Sequence, residues 1–396
     1  MAKTFITDSL TGSRIPFLRG ILIRSLQDCG LPFDRAFEIS SQARDGLTQK
    51  TEFQSLELRE LVVDLLAKAG LFDIIARYSD RSLPAEPLVV IERDGTRSGF
   101  STSENRRFLE SCGLTSEESL LVIGKLQDSL AQENRREIPA AMLGFRIYQI
   151  LKNEFGPPYD HDYLVWKHFQ QSGKPLLLLI GGATGSGKST LATEIAHKLN
   201  IVRTQSTDML REVMRIMIPQ GLLPILHASS FKAWETLPRV RNTKGPPSDS
   251  LLIDGYSMQS RLLATSCEAV MTRALKERVS LILEGVHVEP GLLRNVKGGG
   301  DAVVVMIMLA VMKQGQLKRQ IVGRGVQAPV RRAKRYLKHF PEIWSIQSHL
   351  LAEADRCQVP IVVNDNKDLA INKIMKIIVT SLGENFAAAA EDIFEI

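Results

Sequence analysis

Residues 176–190, LLLLIGGATGSGKST, carry an apolar run straight into a glycine-rich loop and on into the helical pattern LATEIAHKL. Gly182, Gly187, Lys188 and Ser189 satisfy GxxxxGK[ST], a spacing at which glycines let backbone N–H groups converge on phosphate oxygens at a helix N-terminus. Lys188 then has the reach for the β- and γ-phosphates of a nucleoside triphosphate, and the Ser189 hydroxyl for Mg2+. On this reading Gly182, Ala183, Thr184, Gly185, Ser186, Gly187, Lys188, Ser189 and Thr190 hold ATP. Lys188 also stabilises charge on the transferring phosphoryl group.

Four more apolar runs follow: IVRTQS (201–206), VSLILE (279–284), AVVVMIML (302–309) and PIVVND (360–365), separated mostly by helical patterns. Such an alternation predicts a mainly parallel five-stranded sheet covered on both faces, the α/β fold of P-loop NTPases. Ligands then gather beyond the carboxyl ends of the strands. Asp208 falls just past the second strand, where a carboxylate can take the proton of an acceptor hydroxyl or hold that acceptor near the γ-phosphate. Ser206, Thr207 and Asp208 are equally good helix N-caps, so a capping role for Asp208 is open too. Arg211 and Arg215 are four apart, on one helical face suited to a phosphate on the acceptor. Glu284 ends the third strand and is expected to hold Mg2+ together with Ser189, while His287, close behind it, reads either as a substrate contact or as a structural donor.

The chain has 396 residues, 44% hydrophobic and 24% charged, which is globular material for two or three domains. Its longest apolar run, AVVVMIMLAVM at 302–312, is far short of the roughly 20 residues that cross a bilayer, and a cytoplasmic protein with no membrane partner is expected. Cys29, Cys112, Cys267 and Cys357 form no CxxC pair, which argues against zinc and disulfide frameworks. The net charge of +6 is unevenly spread: from Ala302 to Pro341 nine Lys and Arg side chains occur with no acidic residue.

The front of the chain repeats itself. SLQDCGL (25–31) and FLESCGL (108–114) are the same phrase, and the 83-residue offset also pairs Gly12 with Gly95, Arg14 with Arg97, Phe17 with Phe100 and Leu47 with Leu130. Each copy reads as a glycine turn and two helices, the second opened in the later copy by Thr115 with Glu118 three residues on. The repeats, about 5–47 and 88–130, resemble the ATP-cone, a small regulatory nucleotide-binding module. A mostly helical tandem ATP-cone-like domain over 1–152 and a kinase domain over 163–396 are therefore expected, divided at KNEFGPPYDHD (152–162), where Gly-Pro-Pro ends a helix. Two similar hairpins that only pack together are the alternative.

With GGATGSGKST, QSTDMLREVMR, ILHASSFKAWETL (225–237), LILEGVHVEPGLL (281–293) and RAKRYLKHFPEIWSIQSHLLAEA (332–354) in view, the chain resembles the 2-phosphoglycerate kinase family over most of 175–365. The resemblance implies ATP- and Mg2+-dependent phosphorylation of 2-phosphoglycerate to 2,3-bisphosphoglycerate. It implies catalytic roles for Lys188, Asp208, Arg319 and Arg324, and substrate binding by Asp208, Arg211, Arg215, His227, Ser229, Ser230, His287, Arg332 and Arg335. The chain departs from the family pattern at AVMKQGQLKRQIVGRG (310–325), which lacks the expected acidic and histidine residues. Another anionic acceptor, a sugar or inositol phosphate, is one alternative, and a nucleotide-regulated nucleic-acid binder is another. The basic segment, with only Tyr336, Phe340 and Trp344 as nearby aromatics, argues against the second. A regulatory adenine nucleotide at the front repeats is expected, and the oligomeric state is open.

Overall fold

The computed structural model describes residues 5–7, 14–17, 19–29, 31–47, 52–79, 88–133, 137–238, 245–295, 300–323, 330–386 and 389–395. The chain divides into two compact units, Met1–Leu88 and Val89–Ile396. In the first, β1 (Phe5–Thr7) pairs antiparallel with β2 (Arg14–Pro16) and parallel with β3 (Glu52–Gln54). Helices Arg19–Asp28, Phe33–Gly46 and Ser55–Lys68 bury Leu26, Ala36, Ala43, Val62 and Leu66 against one another.

The second unit opens with the same topology. Its β4 (Val89–Ile91) pairs antiparallel with β5 (Arg97–Gly99) and parallel with β6 (Glu137–Pro139). The 83-residue repeat is thus a repeat of structure. Helix Ser116–Gln132 starts where the Thr115/Glu118 pattern places it: Thr115 Oγ1 accepts from the Glu118 N–H at 3.2 Å and a Glu118 carboxylate oxygen accepts from the Thr115 N–H at 2.7 Å.

The sequence reading put the division at 152–162, whereas the units meet at Leu88 and Val89. The helix does break where Gly-Pro-Pro stands: Ala140–Ile150 runs through a wider turn to Phe155, Gly156 takes φ 65°, and a new helix covers Tyr159–Ser172. A break is not a boundary here, because that new helix packs on the second repeat. Trp166 Nε1 donates to Ser111 O at 3.0 Å, and Tyr163 stacks on Phe394 of the C-terminal helix Ala390–Phe394. The Ile393 carbonyl accepts from both Arg93 and Gln171, at 3.0 Å each. Phe394 also closes over Gly144, where a Cβ would come within 2.6 Å of its ring.

Behind this seam lies the five-stranded sheet. The strands β7 (Leu176–Gly182), β8 (Arg203–Ser206), β9 (Leu281–Gly285), β10 (Val303–Ala310) and β11 (Ile361–Val363) are all parallel, in the order β11-β10-β7-β9-β8. The central strands are almost wholly apolar because both faces are covered, Glu284 near the end of β9 being the exception. Leu177, Leu179, Leu281, Leu283, Met306 and Met308 join Tyr256, Cys267 and Met271 of helix Asp249–Lys276 and Ile343, Ile346 and Leu350 of helix Phe340–Arg356 in one core. Alternate residues such as Leu178, Ile180 and Ile307 point to the other face, where helices Lys188–Lys198 and Lys367–Gly383 pack together. Of the four cysteines, Cys29, Cys112 and Cys267 are buried and Cys357 is partly exposed. No helix among the described residues is long and apolar enough to cross a membrane.

Candidate active site

The loop after β7 turns on left-handed glycines, Gly185 at φ 93° and Gly187 at φ 90°. Space as well as angle requires them: a Cβ on Gly185 would meet Ile321 at 2.6 Å, and one on Gly187 would run into the Asn364 amide. Asn364 Nδ2 donates to Ser186 O at 2.8 Å, while its own N–H is held by Ala310 O at 2.8 Å, so the end of β10 braces the phosphate loop. Lys188 opens the following helix with its ammonium buried and donating to Ala183 O at 2.8 Å. Beside it the Ser189 hydroxyl donates to a Glu284 carboxylate oxygen at 2.8 Å, Glu284 being buried at the end of β9.

Two cavities adjoin on the carboxyl side of the sheet. One, of about 150 Å3, is lined by Thr184, Lys188, Ser189, Asp208, Ser230 and Glu284 among others. Its larger neighbour, about 490 Å3, is lined by Glu212, Arg215, His227 and Arg335. Ser206, Asp208, Arg211, Ser229 and Tyr336 belong to the walls of both. Ser206 caps helix Thr207–Met217, its Oγ accepting from the Met209 N–H at 3.1 Å, which leaves the Asp208 side chain in the first turn and 71% exposed. Its nearest countercharge is Arg211, at 3.6 Å.

Arg211 also donates to Ala228 O, and Arg215 pairs with Glu212 at 2.7 Å. Both arginines keep a buried Nε with no hydrogen-bond partner among the described residues, so donors remain to be satisfied beside this pocket. Arg335 reaches across from helix Val330–Lys338 and donates to Ser229 Oγ at 3.0 Å. His227 Nε2 donates to Ile218 O at 2.9 Å. The small cavity beside the phosphate loop thus adjoins a larger chamber walled by Arg211, Arg215 and Arg335, with the Asp208 carboxylate at the junction.

Residues 162–220 match the Zeta toxin family. The chain is 32% identical over 307 residues to the 2-phosphoglycerate kinase of Pyrococcus furiosus, covering 77% of this chain and 98% of the relative. It is 32% identical to the enzyme of that name from Methanocaldococcus jannaschii (74% and 92% covered) and 35% identical to that from Methanothermobacter thermautotrophicus (56% and 71%). The chain belongs to the 2-phosphoglycerate kinase family. Among solved structures, a shikimate kinase from Acinetobacter baumannii aligns over 54% of this chain and 97% of its own at 13% identity, with a TM-score of 0.29.

Most residues expected at the site meet there: Thr184, Lys188, Ser189, Asp208, Arg211, Arg215, His227, Ser229, Ser230, Glu284 and Arg335 all line one cavity or the other. His287 does not. It was expected as a substrate contact or a structural donor, and its ring is buried with both nitrogens engaged, Nδ1 by Thr207 Oγ1 at 3.3 Å and Nε2 by Gln259 Oε1 at 2.8 Å. Burial pushes its pKa down to about 3, a charge at Asp208 opposing that shift and those at Arg211 and Lys188 adding to it. Arg319 is exposed on helix Gln314–Gly323 and lines neither cavity. Arg324 and the side chain of Arg332 lie outside the described residues. The sequence reading missed Asn364, Gln259 and Tyr336. Only Asn364 had a local signal, standing at the end of the last strand in PIVVND, on the rim where the other strands deliver their polar residues.

Proposed function

We propose that the chain transfers the γ-phosphoryl group of ATP to the 3-hydroxyl of 2-phosphoglycerate, giving 2,3-bisphosphoglycerate and ADP. The observation that carries this reading is the shared wall of the two cavities. Lys188 stands on the nucleotide side, Arg215 and Arg335 on the other, and Asp208 belongs to both. The arginines bind the acceptor's phosphate and carboxylate by charge-assisted hydrogen bonds, which aims its free hydroxyl at the junction. Asp208 takes the proton of that hydroxyl as its oxygen bonds to the γ-phosphorus. The bond from the γ-phosphorus to the β,γ-bridging oxygen breaks, and ADP leaves with that electron pair. Lys188 is drawn from the Ala183 carbonyl to the phosphate oxygens, where its charge counts most as the transition state forms.

Ser189 and Glu284 suit Mg2+: they are adjacent hard oxygen donors beside the phosphate loop, and among the described residues no cluster of three acidic, histidine or cysteine side chains competes for a metal. Mg2+ bound there would neutralise charge on the β- and γ-phosphates. A panel of phosphorylated acids, sugars and inositols, read by ADP release, tests the acceptor. The highest kcat/KM is expected for 2-phosphoglycerate, and a better sugar or inositol phosphate would overturn the assignment.

We also propose that the second repeat binds a regulatory adenine nucleotide and that the protein works in the cytoplasm. A cavity of about 360 Å3 in the second unit is lined by Arg107, Phe108, Lys167 and Lys198, cations and a ring suited to phosphates and a base, with Glu92 and Glu104 available to ribose hydroxyls. Calorimetry of dATP, ADP and AMP with the full chain tests this. Arg107→Glu should abolish a second binding event and leave the phosphate-loop event in place; a single event in the unsubstituted protein would overturn it.

A further inference from the structure

Thr207, His287 and Gln259 form a buried chain of hydrogen bonds that the phosphoryl-transfer step does not use. Gln259 Nε2 donates to two carbonyls of one segment, Ile225 O at 2.5 Å and Ala228 O at 3.1 Å. Its Oε1 is therefore the atom facing His287 Nε2 at 2.8 Å, and because an amide oxygen can only accept, that nitrogen carries the ring proton. Nδ1 is then bare and accepts from the Thr207 hydroxyl at 3.3 Å. The three side chains are almost fully buried, and Tyr256 lies parallel to the imidazole with ring centroids 6.2 Å apart while its own hydroxyl donates to Val286 O at 2.7 Å. Every donor in the line points the same way, from Thr207 through His287 and Gln259 to the carbonyls of 225 and 228.

Both ends of the line touch the acceptor side of the cleft. Thr207 immediately precedes Asp208, and it fits only because Gly285 has no side chain: a Cβ there would collide with the Thr207 hydroxyl. At the other end, Ala228 O accepts from Arg211 as well as from Gln259, and the next residue, Ser229, receives Arg335. The Glu284-Gly285-Val286-His287 run thus faces the nucleotide side through Glu284 and, through Gly285 and His287, sets the spacing between the Asp208 carboxylate and the backbone segment that carries the acceptor-side contacts.

We propose that Thr207, His287 and Gln259 are positioning residues for the acceptor: the one-way hydrogen-bond chain fixes the distance and orientation of Asp208 relative to the 225–229 segment, and with it Arg211 and Arg335. None of these hydrogen bonds reaches the phosphate loop, so the line acts on the acceptor and not on ATP. This inference rests on the reading of the larger cavity as the acceptor site.

The test uses the full chain and whichever phosphorylated acceptor the unsubstituted protein turns over best, so a wrong choice of acceptor would show in the unsubstituted protein and leave this test intact. Gln259→Leu removes the donor to both carbonyls, and His287→Phe removes both ring contacts. Each should raise the acceptor KM at least about tenfold, the scale of one or two buried hydrogen bonds, while ATP KM stays within about twofold. His287→Gln, whose amide can still accept from Thr207 and donate to Gln259, should recover most of the loss. Thr207→Val, nearly isosteric, keeps the experiment decisive if the larger changes fail to fold, and should raise the acceptor KM by about three- to tenfold. Equal effects on the ATP and acceptor KM values, no effect in folded variants, or a His287→Gln protein no better than His287→Phe would overturn the proposal.

Discussion

Replacing Asp208 by Asn separates chemistry from helix stability, because the structure gives those two tasks to different residues. The N-cap is Ser206, whose Oγ accepts the Met209 N–H at 3.1 Å, and Asp208→Asn leaves that bond untouched. What the helix loses is one carboxylate in its first turn, worth about 0.3–1 kcal/mol against the helix dipole. It also loses a contact to Arg211 at 3.6 Å from a side chain 71% exposed, worth less than about 1 kcal/mol after solvent screening. Thermal or urea unfolding should therefore change by no more than about 2 kcal/mol. Turnover should fall much further: a general base contributes about 10²–10⁴-fold, equivalent to about 3–5 kcal/mol in the barrier. ADP release in steady state with saturating ATP and 2-phosphoglycerate measures this, alongside an unfolding curve on the same preparation. Ser206→Ala is the mirror experiment, costing about 1 kcal/mol of stability and less turnover than Asp208→Asn. A folded Asp208→Asn protein with near-normal turnover would refute the role of Asp208 at the junction.

Lys188→Ala should lower turnover by orders of magnitude without unfolding the protein; normal turnover in a folded variant would contradict phosphoryl transfer at this loop. Asn364→Ala frees Ser186 O and loosens the phosphate loop, so ATP KM should rise about three- to tenfold with acceptor KM unchanged. Glu289 has its pKa raised to about 7, chiefly by burial, with Glu353 adding to the shift and Arg261 opposing it. The unfolded chain gives up that proton near pH 4.5, so stability falls as pH climbs from about 4.5 to about 7. Glu289→Gln should accordingly raise the melting temperature at about pH 8 and leave it unchanged near pH 4, and an equal change at both values would contradict the assignment.

Much of the site was legible in the sequence because its residues sit at strand ends. A phosphate loop after an apolar strand places Lys188 and Ser189 by local backbone geometry alone, and the parallel αβ alternation then puts Asp208 and Glu284 on the same rim. The strands lie within two residues of where the apolar runs predict them. The front repeat was legible too, since 83-residue self-similarity carries its hairpin and helices with it.

What the tertiary structure decided depends on side chains that meet across long stretches of chain. Three adjacent residues, Ser206, Thr207 and Asp208, are all cap-competent, and only the fold assigns the cap to Ser206, the buried hydrogen bond to Thr207 and the open cleft to Asp208. His287 stands at a strand end like a ligand contact, yet Gln259 and Thr207, far away in sequence, claim both of its nitrogens. Asn364 braces Ser186 across 178 positions. Nor could the Gly-Pro-Pro break be told from a domain boundary: it ends a helix wherever it occurs, while the boundary depends on Trp166 and Tyr163 finding partners in the second repeat and at the C-terminus. Local backbone preference is written residue by residue, whereas the choice among competing partners for a buried polar group is made only when the whole core closes around it.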